Sequence, residues 1–241
     1  MTWSILARDP VSGQFGVAIA SRFFAVGALC VHTRRGVGAL STQALMNPLY
    51  GPAGLDWLAQ GLPANAVVAR LTQADAGNAQ RQLHILPASG VPAAFTGAAC
   101  VGWCGHQTGD DFSVAGNMLA GPQVLAATAE AYANQPDLPL AERLIAAMLA
   151  GEAAGGDKRG RQSAALRIHG DEDHPQLDIR VDDHADPLLE LQRLHAVSLE
   201  RFQPFVACLA GRHDATGLTD RSEIEARITQ FHAARSARPA R

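Results

Sequence analysis

The order of strand and helix patterns along the chain is the feature that most constrains its fold. Two blocks of strand patterns are each followed by a pair of helical patterns. The strand patterns cover residues 2–8, 15–22, 29–33, 37–43, 80–87, 93–96, 112–116, 162–169 and 177–181. The helical patterns cover residues 52–60, 64–74, 121–134 and 138–151. This order predicts an α+β fold in which two sheets pack face to face and helices cover both outer faces, a four-layer αββα sandwich.

The composition changes near Asp186, where an amphipathic helical pattern over 188–209 is followed by a charged helix over 222–234. We therefore expect a sandwich domain over residues 1–185 and a C-terminal helical extension over 186–241. The first of these helices has more apolar surface than a tail needs, which predicts a homo-oligomer, a dimer, although a helix packed on its own domain would show the same pattern. Its apolar residues are Leu188, Leu191, Leu194, Leu199 and Phe202.

Charge and hydropathy exclude several classes of partner. The net charge is −3 and the Lys and Arg residues are scattered, so the basic stripe of a nucleic-acid-binding protein is missing. We find no signal-peptide pattern and no apolar run near the ~20 residues that cross a bilayer, so we expect a cytoplasmic protein with no membrane partner. The four cysteines are too few and too unevenly spaced for a disulfide framework, so we expect free thiols.

Thr2 offers one route to chemistry. A nucleophile on an N-terminal residue needs no histidine, because the chain's own α-amine, with an ordinary pKa of ~7.7–8.0, can accept the hydroxyl proton. This route requires removal of Met1, which we expect because the second side chain is small. The alternative is that Thr2 is only a strand-favouring residue at the start of a strand.

Three segments resemble an uncharacterised family, domain of unknown function 1028, of the Ntn-hydrolase superfamily. They are Thr2-Trp3-Ser4-Ile5, Val17-Ala18-Ile19-Ala20-Ser21-Arg22 and Gly155-Gly156-Asp157-Lys158-Arg159-Gly160-Arg161-Gln162-Ser163-Ala164-Ala165-Leu166. The resemblance extends from residue 2 to about residue 190. It implies the Ntn-hydrolase sandwich and a hydrolytic reaction class, without naming a substrate.

The chain is also distantly similar to the catalytic β-subunits of proteasomes, which open with a threonine strand and a second strand that ends in Ser-Arg, here Ser21-Arg22. This resemblance implies that Arg34 or Arg35 takes the place of the lysine that lowers the pKa of the nucleophile. It implies that Asp157 and Ser163 orient the terminal amine, and that Ser113-Val114-Ala115-Gly116-Asn117 lies near a further supporting serine. The aspartate expected before Ser21 is Ala20 in this chain.

Further residues are candidates for contact with a substrate. Asn117 follows a strand and a glycine, so its amide or a nearby backbone N–H can face a developing oxyanion, although a turn-capping role fits equally. Gln43 and Asn47 follow the fourth strand and can donate hydrogen bonds, with a structural turn as the alternative. Arg22 and Trp103 complete the candidates for substrate binding.

The segment Cys100-Val101-Gly102-Trp103-Cys104-Gly105-His106 contains soft metal ligands and a possible thiol nucleophile. Its spacing fits no common zinc motif, so we expect no metal and no cofactor, and a pocket wall in which Trp103 packs on a ligand.

The sequence therefore favours an amidohydrolase that acts on a small amide or related C–N substrate through Thr2. Two alternatives stay open: a non-catalytic module on the same fold that binds a small molecule or assembles with partners, and a hydrolase that uses Cys104.

Overall fold

The computed structural model describes residues 2–237, and this range contains ten strands and eight helices. The strands are β1 Thr2–Arg8, β2 Phe15–Ser21, β3 Val31–Arg34, β4 Gly38–Ala44, β5 Arg81–Pro87, β6 Ala93–Thr96, β7 Trp103–Thr108, β8 Phe112–Leu119, β9 Ser163–His169 and β10 Leu177–Val181. The helices are α1 Gly27–Cys30, α2 Tyr50–Ala59, α3 Ala64–Gln73, α4 Gln123–Ala133, α5 Leu140–Ala153, α6 Pro187–Glu200, α7 Phe202–Val206 and α8 Arg221–Ser236. The expected mixture of strands and helices is confirmed.

The strands form two antiparallel sheets. One has six strands in the order β10-β9-β2-β1-β8-β7, and the other has four in the order β3-β4-β5-β6. The sheets contact each other through β1, β2 and β8 on one side and β4 and β5 on the other. Helices α4 and α5 contact the six-stranded sheet, while α2 and α3 contact the four-stranded sheet.

The space between the sheets is apolar at one end. A cluster of buried apolar residues fills it, with Leu6 on β1, Val17 and Ile19 on β2, and Leu86 on β5, each at most 3% exposed. Replacing any of these side chains with alanine is expected to lower the free energy of unfolding by about 2–5 kcal/mol, because a closely packed interior relaxes only partly around the cavity that is left. This apolar end fixes the register of the strands whose other ends carry the polar side chains described below.

The hairpin between β1 and β2 explains why the chain reverses after Arg8. The carboxylate of Asp9 accepts hydrogen bonds from the backbone N–H of Val11 at 3.0 Å and from the Ser12 hydroxyl. Gly13 has φ of +71°, a left-handed conformation that glycine adopts without steric cost. The turn aligns Thr2 with Ser21, the last residue of β2.

Two predictions about local structure were wrong. Residues 103–108, for which no strand was predicted, form β7, an edge strand that pairs with β8 and contains an irregularity between Trp103 and Cys104. Its glycine and polar side chains lack the β-branched pattern of a strand, and pairing with β8 supplies the order. The helix expected over 188–209 is divided at Arg201, whose φ of −146° is not helical, and Pro204 lacks the N–H that a continuous helix needs.

The chain forms two compact units, of which one ends at Leu191 and the other begins at Gln192. In the second unit, Asp220 caps α8 by accepting hydrogen bonds from the backbone N–H groups of Ser222 and Glu223. No helix within residues 2–237 combines the length and the apolar character needed to cross a membrane. The homo-oligomer inferred from the sequence stays a prediction.

Candidate active site around Thr2

Four polar residues line up across the ends of adjacent strands in the six-stranded sheet. Ser163 on β9, Ser21 on β2, Thr2 on β1 and Asn117 on β8 are paired in register, each with the next. All four are at most 6% exposed. The Thr2 Oγ1 atom lies 3.1 Å from the Ser21 Oγ atom, so the two hydroxyls share a hydrogen bond. The register of the strands therefore places the candidate nucleophile in a row of hydrogen-bonding side chains at one end of the sheet.

Asp157 and Ser163 hold the chain segment that follows Ser21. The buried Asp157 carboxylate accepts a hydrogen bond from the backbone N–H of Arg22 at 2.9 Å. The Ser163 hydroxyl donates to the carbonyl of Phe23 at 2.5 Å and accepts from the N–H of Val26 at 3.1 Å. Both predicted residues thus lie beside the strand ends at Thr2, and the contacts described for them fix the backbone of residues 22–26.

A buried hydrogen-bond network fills the polar end of the space between the sheets. We call it the inter-sheet network, and its residues are at most 6% exposed. It consists of Thr2, Ser4, Ser41, Gln43, Gln82, His84, Ser113 and Asn117. Within this network, the Thr2 carbonyl accepts from Gln43 Nε2 at 3.5 Å and from Asn117 Nδ2 at 3.4 Å. Amides from both sheets therefore hold the backbone of Thr2.

Gln82 sets the orientation of those two amides. Its Nε2 donates to the carbonyls of Gly116 at 2.8 Å and Gly105 at 3.0 Å, and a carbonyl can only accept. Gln82 Oε1 is consequently the acceptor for Gln43 Nε2 at 2.8 Å and for Asn117 Nδ2 at 3.0 Å. The orientation of three buried amides thus follows from two backbone carbonyls.

The same logic assigns the tautomer of His84. Gln43 Nε2 faces Gln82, so the Oε1 atom of Gln43 faces Ser4 and accepts a hydrogen bond from the Ser4 hydroxyl at 2.7 Å. With that proton used, His84 Nε2, at 2.8 Å from Ser4 Oγ, must carry its own hydrogen and donate it. His84 Nδ1 then accepts from Ser113 Oγ at 3.0 Å. Complete burial of the ring lowers the pKa of His84 to about 3, because the imidazolium form would lose its hydration.

The prediction that the Asn117 side chain donates to an oxyanion is not supported. Its Nδ2 has two hydrogens, and the structure directs them to the Thr2 carbonyl and to Gln82 Oε1. The side-chain amide therefore supports Thr2, which leaves a backbone N–H as the alternative donor from the sequence analysis. Gln43, expected to contact a substrate, likewise donates to Thr2 and Gln82.

Strained backbone surrounds the row of four residues. Within residues 2–237, the non-glycine residues with positive φ are Ala25 at +50°, Ala44 at +67° and Met118 at +54°. Ala44 follows Gln43, Met118 follows Asn117, and Ala25 lies in the segment that Ser163 holds. Such conformations cost about 1–3 kcal/mol each and are concentrated at functional sites, so they support a site at this end of the sandwich.

The prediction that Arg34 or Arg35 is the cation beside Thr2 was wrong. Arg34 pairs with Asp56 at 2.8 Å, and Arg35 pairs with Asp173 at 3.0 Å, in both cases between a partly exposed arginine and an exposed aspartate. Arg34 is in register with Gly38, five residues before Gln43, a distance of about 17 Å along a strand that rises ~3.4 Å per residue. The cause is the short β3, whose last residues belong to the hairpin end opposite the site.

Asn47 belongs to a structural turn. Its side chain accepts from the N–H of Leu49 at 3.1 Å and donates to Asp75 at 3.2 Å. Trp103 packs its ring over Gly105 on β7. The Arg22 side chain donates to the carbonyl of Arg161 at 2.9 Å.

The cysteine- and histidine-containing segment shows no thiol–imidazole pair among its described contacts. His106 Nδ1 lies 2.9 Å from Thr96 Oγ1, and Cys104 Sγ donates to the carbonyl of Cys100 at 3.8 Å. The structure therefore gives the Cys104 hydrolase no base next to its thiol. Among residues 2–237, no group of three or more His, Cys, Asp or Glu side chains is placed to hold a metal ion.

The sequence analysis did not identify Ser4, Gln82 or His84 as site residues. A signal was present, because polar residues recur at every second position of otherwise apolar strands, at 2 and 4, 41 and 43, and 82 and 84. That spacing directs both side chains of each pair to the same sheet face. The removal of Met1 concerns a residue outside those that the structure describes.

Comparison with known proteins identifies the family to which the chain belongs. The sequence model of the family of unknown function DUF1028 matches residues 2–191, and the chain belongs to this family. The predicted family resemblance is thereby confirmed.

Two of the solved structures that match the chain show the range of similarity. Protein SPO2555 from Silicibacter pomeroyi, matched to the same family, is 30% identical with a TM-score of 0.85, over 91% of this chain and 96% of that chain. Anbu, the ancestral beta-subunit from Yersinia bercovieri, is 12% identical with a TM-score of 0.45, over 82% of this chain and 94% of that chain. The search of curated proteins found no match.

Proposed function

We propose that the chain is an N-terminal-nucleophile amidohydrolase with the four-layer αββα sandwich, in which Thr2 attacks a small amide or related C–N substrate after removal of Met1. The observation that carries the proposal is the support built around Thr2. Its hydroxyl contacts Ser21, and its carbonyl accepts from amides of both sheets. A residue that only opens a strand has no need of such support. Preorganisation of this kind is what a nucleophile requires.

The proposed reaction uses the α-amine of Thr2 as its base. The amine accepts the proton of Thr2 Oγ1 as the oxygen forms a bond to the amide carbon, which gives a tetrahedral intermediate. The C–N bond then breaks, and the α-ammonium returns the proton to the leaving nitrogen. Water, deprotonated by the same amine, attacks the resulting ester and releases the acid and free Thr2. Water is the one further reactant that these steps consume, and no atom changes its oxidation state.

Without Arg34 beside it, the nucleophile depends on hydrogen bonds for activation. Ser21 Oγ, at 3.1 Å, is the hydroxyl placed to share the Thr2 proton. Asp157 and Ser163 act as positioning residues, because they hold the backbone that continues from Ser21. We therefore expect activity to increase as the α-amine loses its proton near its ordinary pKa of ~7.7–8.0.

The experiment begins with the intact mass of the purified protein, which shows whether Thr2 is the first residue. The protein is then incubated with a panel of small amides, and the release of amine and the mass of any acylated protein are measured. Thr2→Ala should abolish both, Thr2→Ser should retain part of the activity, and Thr108→Ala, an exposed threonine on β7, should leave both unchanged. Retention of Met1, or full activity of Thr2→Ala, would contradict the proposal.

A second candidate is the non-catalytic module that binds a small molecule. It is favoured by the ion pairs of Arg34 and Arg35, which occupy both arginines away from Thr2, and by Ala20 before Ser21. This candidate predicts that Thr2→Ala binds ligands as the wild type does, and that the wild type neither releases amine nor becomes acylated.

A further inference from the structure

A pocket of about 420 Å³ adjoins the row of residues that contains Thr2. Asn117, which forms part of its wall, is the residue opposite Thr2 in the register of β1 and β8. The rest of the wall comes from the end of β4 and the segment before β7. The lining residues are Ala44, Leu45, Gln80, Ala99, Cys100, Val101, Asn117 and Met118.

The chemistry of this lining is uncharged. None of these eight described residues is Asp, Glu, Lys, Arg or His. The polar side chains are the two amides, Gln80 and Asn117, and the thiol of Cys100. Burial raises the pKa of that thiol, which therefore keeps its proton at neutral pH. A charged group against these eight side chains would lose hydration without gaining an opposite charge from them, a cost of several kcal/mol in proteins. The Lys158 ammonium lies near Gly102 and is not among the lining groups.

One cation beside the wall, Arg81, is already paired. Arg81 donates through Nε to Asp75 at 2.9 Å and through Nη1 to the carbonyl of Leu45 at 2.5 Å. The carbonyl of Arg81 also accepts from the Cys100 thiol at 3.4 Å. Arg81 thus connects two parts of the pocket wall, and its charge is neutralised by a carboxylate outside the pocket.

The wall is held in one shape on its other side as well. The N–H of Met118 donates to the carbonyl of Val101 at 3.1 Å, and the N–H of Leu45 donates to the carbonyl of Gln80 at 3.1 Å. The strained residues Ala44 and Met118 both form part of this wall. Leu45 and Val101 are 58% and 64% exposed, so large apolar side chains stand at the opening.

We infer that this pocket binds the uncharged, apolar acyl group of the substrate, so that the amides this protein acts on carry no charge on the acyl side. The inference rests on the proposed function, because it assigns the pocket to the group attached to the carbonyl that Thr2 attacks. Small, neutral and mainly apolar groups are what a pocket with apolar walls and few polar groups accommodates.

The test separates binding from catalysis. Binding is measured with Thr2→Ala by the chemical shifts of the Met118 and Val101 methyl groups. The probes are three amides of similar length: hexanamide, 6-aminohexanamide and the monoamide of adipic acid. We expect hexanamide to shift both methyl groups and to bind at least about tenfold more tightly than either charged probe.

Two variants that introduce the same charge, one in the pocket wall and one away from it, form a matched pair. Ala99→Asp, at an exposed position of the pocket, should weaken hexanamide binding and strengthen 6-aminohexanamide binding, whereas Ala126→Asp, on the exposed side of α4, should change neither. Equal or tighter binding of the charged probes, or no effect of Ala99→Asp, would overturn the inference.

The outcomes for the two proposals are distinct. If hexanamide binds as described and the wild type with a free Thr2 never releases amine, the preference of the pocket for uncharged ligands stands, while the hydrolase proposal and the acyl-group assignment that rests on it fail. If the wild type hydrolyses amides through Thr2 and prefers the charged ones, the hydrolase proposal stands and the pocket assignment fails.

Discussion

Acidification should destabilise the protein through His84. Its ring is buried and neutral in the folded state, with a pKa of about 3 against 6.5 for the exposed side chain. Since the folded pKa is the lower one, the unfolded chain binds more protons between these two values. The free energy of unfolding therefore increases with pH across that window and decreases as the pH falls below 6.5.

The size of the effect follows from the two pKa values. Between pH 7 and pH 5 the unfolded chain takes up nearly one proton at His84 that the folded chain does not, which lowers the free energy of unfolding by about 1.9 kcal/mol. Burial also lowers the pKa of His32 and of His169. A comparison with a variant at position 84 removes their contribution, because both histidines remain in that variant.

His84→Gln is the suitable variant, because its amide can donate to Ser4 as the ring does but takes up no proton. Urea unfolding at pH 7 and pH 5 should show that the wild type loses about 1.9 kcal/mol more than the variant on acidification. In the wild type, NMR of the ring should show the Nε2–H tautomer unchanged over this range. An equal pH dependence of the two proteins, or a ring that titrates near pH 6.5, would refute the reasoning.

Three further substitutions test other parts of the structure. Gln82→Leu removes the acceptor shared by two buried amides and the donor to two carbonyls, so urea unfolding should show a loss of at least about 3 kcal/mol, and a loss below about 1 kcal/mol would contradict the network. Asp75→Asn should cost about 2 kcal/mol at pH 7, because the carboxylate accepts a charged hydrogen bond from Arg81. That bond, more than any other, holds the pKa of Asp75 below its usual 3.8, so its advantage over Asn should diminish in unfolding experiments below that pH. Arg34→Ala breaks an exposed ion pair and should change the free energy of unfolding by less than about 1 kcal/mol, with the acylation rate of Thr2 unaltered. A large loss of acylation would show that Arg34 takes part in the reaction of Thr2.

Much of the fold was accessible from the sequence because strand and helix patterns differ in period. The strands β1, β2, β9 and β10 follow an alternation that survives in the structure, and the helices α2 to α5 follow apolar spacing. β7 was missed because its order comes from pairing with β8 and not from its own side chains.

The site was less accessible, because it depends on register between distant strands. Thr2, Asp157 and Ser163 were found through short motifs that lie next to one another at the strand ends. Arg34 was misplaced because sequence order does not show which end of the β3–β4 hairpin lies beside Thr2 in the other sheet. Gln82 was missed because the polar alternation at 82 and 84 indicates a shared sheet face but does not show which amides Gln82 meets on two other strands.

The fixed direction of hydrogen bonds through Gln82 also limits how sequences of this fold can diverge. An apolar residue at this position would leave the amides of Gln43 and Asn117 without their shared acceptor, so a tolerated change at 82 requires changes at 43 and 117 as well. Positions 43, 82 and 117 should therefore change together among relatives, while neighbouring apolar positions vary independently.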